Sequence, residues 1–196
     1  MTAPDIIRAV LPVTRTLDEL GIPYYVGGSV ASSVYGSARA TMDVDLVADI
    51  EPEHVPVLVQ AFRSKYYVDE LMIAEAVERR ASFNLIHLQT SIKIDVFVQP
   101  EGEYHQAAMS RRREDTLDDE DAAPLFVASA EDVILSKLQW YELGGRVSER
   151  QWLDVTGVIK VQARSLDTVY LGQWARDLGV SSLLLKAFGD SGVPFP

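Results

Sequence analysis

The 196-residue sequence predicts an α+β (α/β) fold, a mixed sheet with packed helices followed by a C-terminal helical bundle. Two observations carry this. Short apolar runs with a period of two recur as far as Leu125-Phe126-Val127, and beyond them only helical periodicity with capping signals remains. The expected boundaries are an αβ domain over 1–127 and a helical lobe over 128–196, with no internal repeat or low-complexity tract.

Taken in order, Ile6, Ile7, Val10, Leu11, Leu17 and Leu20 recur at helical spacing, and Gly21 with Pro23 ends that helix. Tyr24 to Val26 reads as a short strand broken by Gly27-Gly28-Ser29. The small, apolar segment Ser29 to Tyr35 reads as a helix stopping at Gly36. Asp43 to Val47 alternates acid and apolar residues, as a strand with one face in the core does. Pro52 to about Tyr66 is expected to be one helix, with Val55, Leu58, Val59 and Phe62 on one side, and Leu71 to Arg80 the next. Phe83 to Leu88 and Ile92 to Val98 form a hairpin-like pair around Gln89-Thr90-Ser91. Residues 101–112 read as a helix, and the acid-rich stretch Glu114 to Asp121 as the solvated tip between two short edge strands. Ser129 with Asp132, Ser148 with Gln151, and Asp167 open three helices, and Ser181 to Phe188 is a fourth.

Composition narrows the function. Apolar residues make up 47% and charged residues 24%, which excludes a disordered or fibrous chain. Eighteen Lys and Arg face 29 Asp and Glu, so the formal charge is −11. That balance disfavours a protein whose whole surface grips nucleic acid or an anionic membrane, though it permits a local basic patch. Without cysteine there is no disulfide, thiol nucleophile or cysteine-ligated zinc, and His54, His87 and His105 lack metal-ligand spacing. The first twenty residues carry Asp5, Asp18 and Glu19 and no long apolar run, so no signal peptide is expected. Without an apolar stretch near the roughly 20 residues of a membrane span, a cytoplasmic location is expected.

Three features carry chemistry. Gly27-Gly28-Ser29 stands between a strand and a helix, where glycines let backbone approach a ligand and free N–H groups favour phosphate. Asp43 and Asp45 are two residues apart on a strand, so both carboxylates project from one face while Val44 and Leu46 point into the core. Such a pair repels itself unless a cation or proton intervenes, and magnesium with its oxygen ligands meets that need. Asp95 sits mid-strand in Ile92-Lys93-Ile94-Asp95-Val96-Phe97-Val98, on the side of Lys93 and Phe97. It reads either as an edge-strand charge that blocks aggregation, or as a third carboxylate if its strand lies beside Asp43 and Asp45. The second arrangement suits two metal ions flanking a reacting phosphate.

The order GGS, then Arg39 and Thr41, then DVD at 43–45, then a lone strand aspartate, resembles the nucleotidyltransferase superfamily that includes DNA polymerase β. The segments SAEDVILSKLQWY (129–141) and SERQWLDV (148–155) resemble those of bacterial AbiEii-type nucleotidyltransferases, and the likeness spans about residues 22–180. It implies a metal-dependent enzyme that moves a nucleoside monophosphate from an NTP donor to an acceptor. Gly28 and Ser29 would hold the triphosphate, and Gly27, Arg39 and Thr41 would belong to the nucleotide-binding site. Asp43, Asp45 and Asp95 would be catalytic and bind two Mg²⁺ ions, Asp95 also helping to deprotonate the attacking hydroxyl. Lys137 would reach the phosphates, with Arg150 and Asp154 completing the nucleotide site. For Lys137 the alternative is a solvated helix lysine, and for Asp154 a salt bridge within the helical lobe. No acceptor-recognition motif is present. A small molecule, a protein side chain or tRNA all stay open, tRNA being disfavoured by charge, and a cognate antitoxin or a homodimer stays open as partner. The competing readings are a non-catalytic nucleotide- or partner-binding member of the fold and an RNA-modifying toxin.

Other features read as structural. Arg111-Arg112-Arg113 before six acids suggests a solvated turn with internal charge pairing, and Arg79-Arg80 a cationic helix end. Trp140, Trp152 and Trp174 fall at apolar helix positions and read as core, and His87 reads as a satisfied sheet histidine.

Overall fold

The structure is a computed structural model and describes residues 3–36, 41, 43–116 and 124–195. Two compact units emerge, one of residues 1–27 and 40–127, the other of residues 28–39 and 128–196.

The first unit is built on a sheet. Its elements are helix α1 (Ala3–Glu19) and strand β1 (Tyr24–Val26), then, past the helix α2 (Gly28–Tyr35) of the other unit, β2 (Asp43–Ala48), α3 (Val55–Phe62), β3 (Tyr66–Tyr67), α4 (Glu70–Glu78), β4 (Ser82–His87), β5 (Lys93–Val98), α5 (Glu103–Ser110), β6 (Arg113–Asp115) and β7 (Leu125–Val127). Among the described residues seven strands pair in the order β3-β4-β5-β2-β1-β7-β6. The pairs β2–β5 and β1–β7 are parallel and the others antiparallel, which makes the sheet mixed.

Alternation decides which face packs. Val44, Leu46 and Ala48 of β2, Ile94, Val96 and Val98 of β5, and Phe83 and Leu85 of β4 are buried, while the residues between them are more exposed. Buried residues of the helices complete this core, among them Val10, Val13 and Leu17 of α1, Leu58 and Phe62 of α3, and Ile73 of α4. Tyr66 Oη donates to the Ala9 carbonyl at 2.7 Å, tying the edge strand β3 to α1.

The single helix expected from Pro52 to Tyr66 is instead a one-turn 3₁₀ segment (Pro52–His54), α3, and the edge strand β3. The apolar face of α3 ends at Phe62, and Tyr66 and Tyr67 find strand partners in His87 and Ile86. Arg80 does more than end a helix. It takes a left-handed backbone (φ 46°) and donates to Glu51 at 2.9 Å and to the Gln99 carbonyl at 2.9 Å, pinning the ends of neighbouring elements. The arginine run differs from a solvated turn too: the Arg112 guanidinium lies 4.6 Å over the Phe126 ring and donates to the Met109 carbonyl. The tip between β6 and β7, including Asp118 to Asp121, lies outside the described residues.

The second unit consists of α2 with α6 (Ala130–Leu143), α7 (Glu149–Gln162), α8 (Thr168–Asp177) and α9 (Ser181–Ser191). The caps are those the sequence expects: Ser129, Ser148 and Asp167 accept from the amides of Asp132, Gln151 and Tyr170. Residues 28–39 join this unit, although a single boundary at 127/128 would leave them in the first. The reason is packing. Val30, Ala31 and Tyr35 of α2 are buried, Gln162 Nε2 donates to the Tyr35 carbonyl, and Gly36 passes so near α7 that a Cβ would lie 3.1 Å from the Val158 amide nitrogen. Trp140 is 53% exposed, which corrects its expected place in the core: it belongs to the last turns of α6, where burial ends at Leu138. No helix among the described residues is long and apolar enough to cross a membrane.

Candidate active site

Three aspartates come together through strand register. β2 and β5 are adjacent and parallel, and Asp45 is the direct partner of Asp95, with Asp43 opposite Lys93. Residues in register share a face, so Asp43, Asp45, Lys93 and Asp95 all stand on the side opposite the buried apolar residues. The edge-strand reading of Asp95 is thereby excluded, since β5 has β2 on one side and β4 on the other.

Topology brings the glycine turn to the same end. β1 runs antiparallel to β2, so its C-terminal end lies beside the start of β2, and the Gly27 amide donates to the Asp45 carbonyl at 2.8 Å. Gly28 follows with φ 55°, a left-handed conformation that glycine adopts without a Cβ penalty, and opens α2 with Ser29 at its second position. Thr41, itself buried, donates from Oγ1 to Asp43 Oδ1 at 2.8 Å and so turns that carboxylate.

Lys93 is the residue that sequence reasoning did not assign. Its ammonium lies 2.7 Å from Asp95 Oδ2. That hydrogen bond and the charges of Asp43 and Asp45 raise Lys93 above its ordinary value of 10.5. Asn84 of β4, the register partner of Asp95 on its other side, extends the polar row. For Lys93 the signal was the strand periodicity that put it on the side of Asp95, whereas the place of Asn84 follows only from the register of β4 with β5. With Asp43 engaged by Thr41 and Asp95 by Lys93, the carboxylates are not aimed at one point. Among the described residues no group of three or more His, Cys, Asp or Glu side chains is gathered closely enough to hold a metal ion.

The remaining candidates belong to the second unit. Lys137 of α6 donates to Asp154 of α7 at 2.8 Å, and both side chains are only 8% exposed. The alternative of a solvated lysine is thus excluded for Lys137. Arg150 lies exposed in the first turn of α7. Arg39 lies outside the described residues. His87 is buried on the apolar side of β4, with Nδ1 2.8 Å from Thr90 Oγ1, and burial lowers it below its ordinary value.

No protein-family model matches this chain, and neither does any curated protein sequence. Solved structures do. An antigenic nucleotidyltransferase-like protein from Paracoccidioides brasiliensis superimposes with a TM-score of 0.51 over 92% of both chains, at 18% identity. The fold is nucleotidyltransferase-like. ANT(2")-Ia in complex with adenylyl-2"-tobramycin gives a TM-score of 0.53 over 92% of this chain and 97% of that one, at 12% identity. The lincosamide antibiotic adenylyltransferase LnuA, lincomycin-bound, gives 0.50 over 82% and 98%, at 13% identity. At such identities the likeness speaks for the nucleotidyltransferase-like fold, and the chemistry rests on this chain's own residues.

Proposed function

We propose that the protein is a nucleotidyltransferase that moves a nucleoside monophosphate from a nucleoside triphosphate to a hydroxyl of a cationic acceptor. The observation that supports this most is the register of Asp45 with Asp95, on one face with Asp43, in a nucleotidyltransferase-like fold. These carboxylates are the hard oxygen donors that Mg²⁺ takes and they stand on one face of two adjacent strands, so the donor chemistry suits that ion, while Thr41 and Lys93 keep Asp43 and Asp95 from converging on one point. Asp43, Asp45 and Asp95 would hold the ion. When bound, Mg²⁺ neutralises the phosphate charge that develops as pyrophosphate leaves.

The chain's own residues carry the rest of the proposal. Gly28 and Ser29 offer the N–H groups of a helix N-terminus to the triphosphate. Thr41 holds the Asp43 carboxylate in orientation. Asp95 takes the proton of the acceptor hydroxyl as its oxygen bonds to the α-phosphorus and the bond to pyrophosphate breaks. Arg39, Lys137, Arg150 and Asp154 are retained as nucleotide-binding residues. Lys137 is held by Asp154 at 2.8 Å, and its ammonium has two further N–H donors to offer a phosphate.

Charge distribution supports the acceptor class. Residues 1–127 carry 21 Asp and Glu against 11 Lys and Arg, whereas residues 128–196 carry 8 against 7. The acid excess falls in the part of the sequence that bears the three aspartates, which suits an amine-bearing small molecule better than tRNA. Two fold neighbours, a lincosamide antibiotic adenylyltransferase with lincomycin bound and ANT(2")-Ia in complex with adenylyl-2"-tobramycin, are consistent with such an acceptor. A second reading, a non-catalytic member that holds a nucleotide or partner, is favoured by the Lys93–Asp95 ion pair. Incubation with α-labelled triphosphates and Mg²⁺, with either amine-bearing antibiotics or total tRNA, separates these. Label on the small cation, absent with Asp45→Asn, is expected. A labelled tRNA band overturns the acceptor class, and no transfer to either favours the second reading.

A further inference from the structure

We propose that Lys93 is a built-in counter-cation of the aspartate cluster, holding Asp95 in place before a divalent ion binds and yielding that place when one does. The inference rests on the metal-site reading of Asp43, Asp45 and Asp95 and goes beyond it by giving the cluster a competitor within the chain.

Backbone geometry puts Lys93 where a cation is needed. It precedes Asp95 by two residues on the same strand, stands directly opposite Asp43 across the β2–β5 pair, and is one register step from Asp45 on the same face. Its ammonium is 2.7 Å from Asp95 Oδ2, so it is a hydrogen-bonded partner rather than a distant charge. Three carboxylates on adjacent strands repel one another, and a single ammonium among them relieves that repulsion without any ligand.

Exposure shows that the ammonium can leave. The Lys93 side chain is 46% exposed and that of Asp95 21%, whereas Lys137 and Asp154 are each 8% exposed. Breaking the buried pair strands two charges away from water, which makes it a fixed tie. Breaking the exposed pair returns the ammonium to water, and lysine is a compact charge on a long flexible stem that can make the move. An exposed pair two residues apart on a strand adds little stability by itself. Its effect is on the competition for Asp95: a divalent ion must displace Lys93, so metal binds more weakly than the bare carboxylates would allow. Lys93 is thus a positioning residue acting through Asp95.

The test uses the full chain as wild type, K93M and K93R, titrated with Mn²⁺ alone and followed by electron paramagnetic resonance, with sites counted as those lost in D45N. Melting in EDTA is measured alongside. K93M is expected to bind Mn²⁺ about tenfold more tightly, the effect of removing one like charge at close range. It is also expected to melt below wild type in EDTA, with K93R like wild type in both respects. Equal Mn²⁺ affinity in wild type and K93M overturns the counter-cation role while leaving the metal site standing. Absence of a D45N-sensitive site in both overturns the metal-site reading, and the role of Lys93 falls with it.

Discussion

Asp45 and Asp95 are register partners across the parallel strands β2 and β5, so two carboxylates that are fifty residues apart in sequence stand side by side on one face. Neutralising either should remove function without harming the fold. Asp45→Asn is expected to lower nucleotidyl transfer by at least about a hundredfold, as loss of a preorganised charge at a reacting phosphate does. Its melting temperature should stay at or above wild type, because one of three repelling charges is gone. Transfer assays and calorimetry on the same sample check both halves.

The Lys137–Asp154 pair gives a stability prediction of opposite kind. With both side chains buried, Lys137→Met leaves a carboxylate without its cation and should cost about 3–5 kcal/mol. The double variant K137M/D154L should recover most of that loss, read from urea midpoints. A stable K137M that has lost turnover would instead assign the lysine to the nucleotide.

Two glycines are required for different reasons. At Gly28 the positive φ of 55° makes alanine cost roughly 1–2 kcal/mol. At Gly36 the obstacle is backbone: an added Cβ would lie 3.1 Å from both the Ser32 carbonyl oxygen and the Val158 amide nitrogen. Gly36→Ala should therefore destabilise by about 1–3 kcal/mol through forced separation of α2 and α7. Denaturant unfolding of the two variants measures each cost.

His87 makes stability depend on pH. Burial lowers its imidazole below the ordinary 6.5, and Arg8 and Lys65 push the same way. Above 6.5 the ring is neutral in both folded and unfolded chains, so its contribution is fully present there. As pH falls below 6.5 the unfolded chain gains a proton that the native state refuses, and stability is lost until pH passes the lower folded value. His105, also lowered by burial, acts in the same direction. Unfolding midpoints from pH 6.5 downward should fall less steeply for His87→Gln than for wild type.

Much of this fold was legible because the periodic signals were strong. The alternation in Asp43 to Val47 and Ile92 to Val98 gave both strands and their core faces, and Ser129, Ser148 and Asp167 marked helix starts by chemistry that acts locally. β3 was missed because a two-residue edge strand has no period to detect, and only its partner β4 makes Tyr66-Tyr67 a strand. Trp140 was misplaced because helical spacing names a face without saying where along the helix the packing stops. The three aspartates were legible one by one, but their meeting depends on β5 lying beside β2, a non-local pairing that local sequence does not encode. Lys93 was legible as a neighbour of Asp95 on one face. Its closeness to Asp43 follows only from register.

The most direct test of the central claim is a thermal-shift series with each ribonucleoside triphosphate, with and without Mg²⁺, on wild type and Asp45→Ala. A ligand present at about 100 times its dissociation constant stabilises by roughly 2.7 kcal/mol, which is a shift of about 5–10 °C for a chain of this size. A shift that needs Mg²⁺ and is lost in Asp45→Ala is the expected result and names the preferred base. A chain that no triphosphate stabilises, or an Asp45→Ala variant that shifts as much as wild type, contradicts the assignment of these aspartates to a nucleotide site.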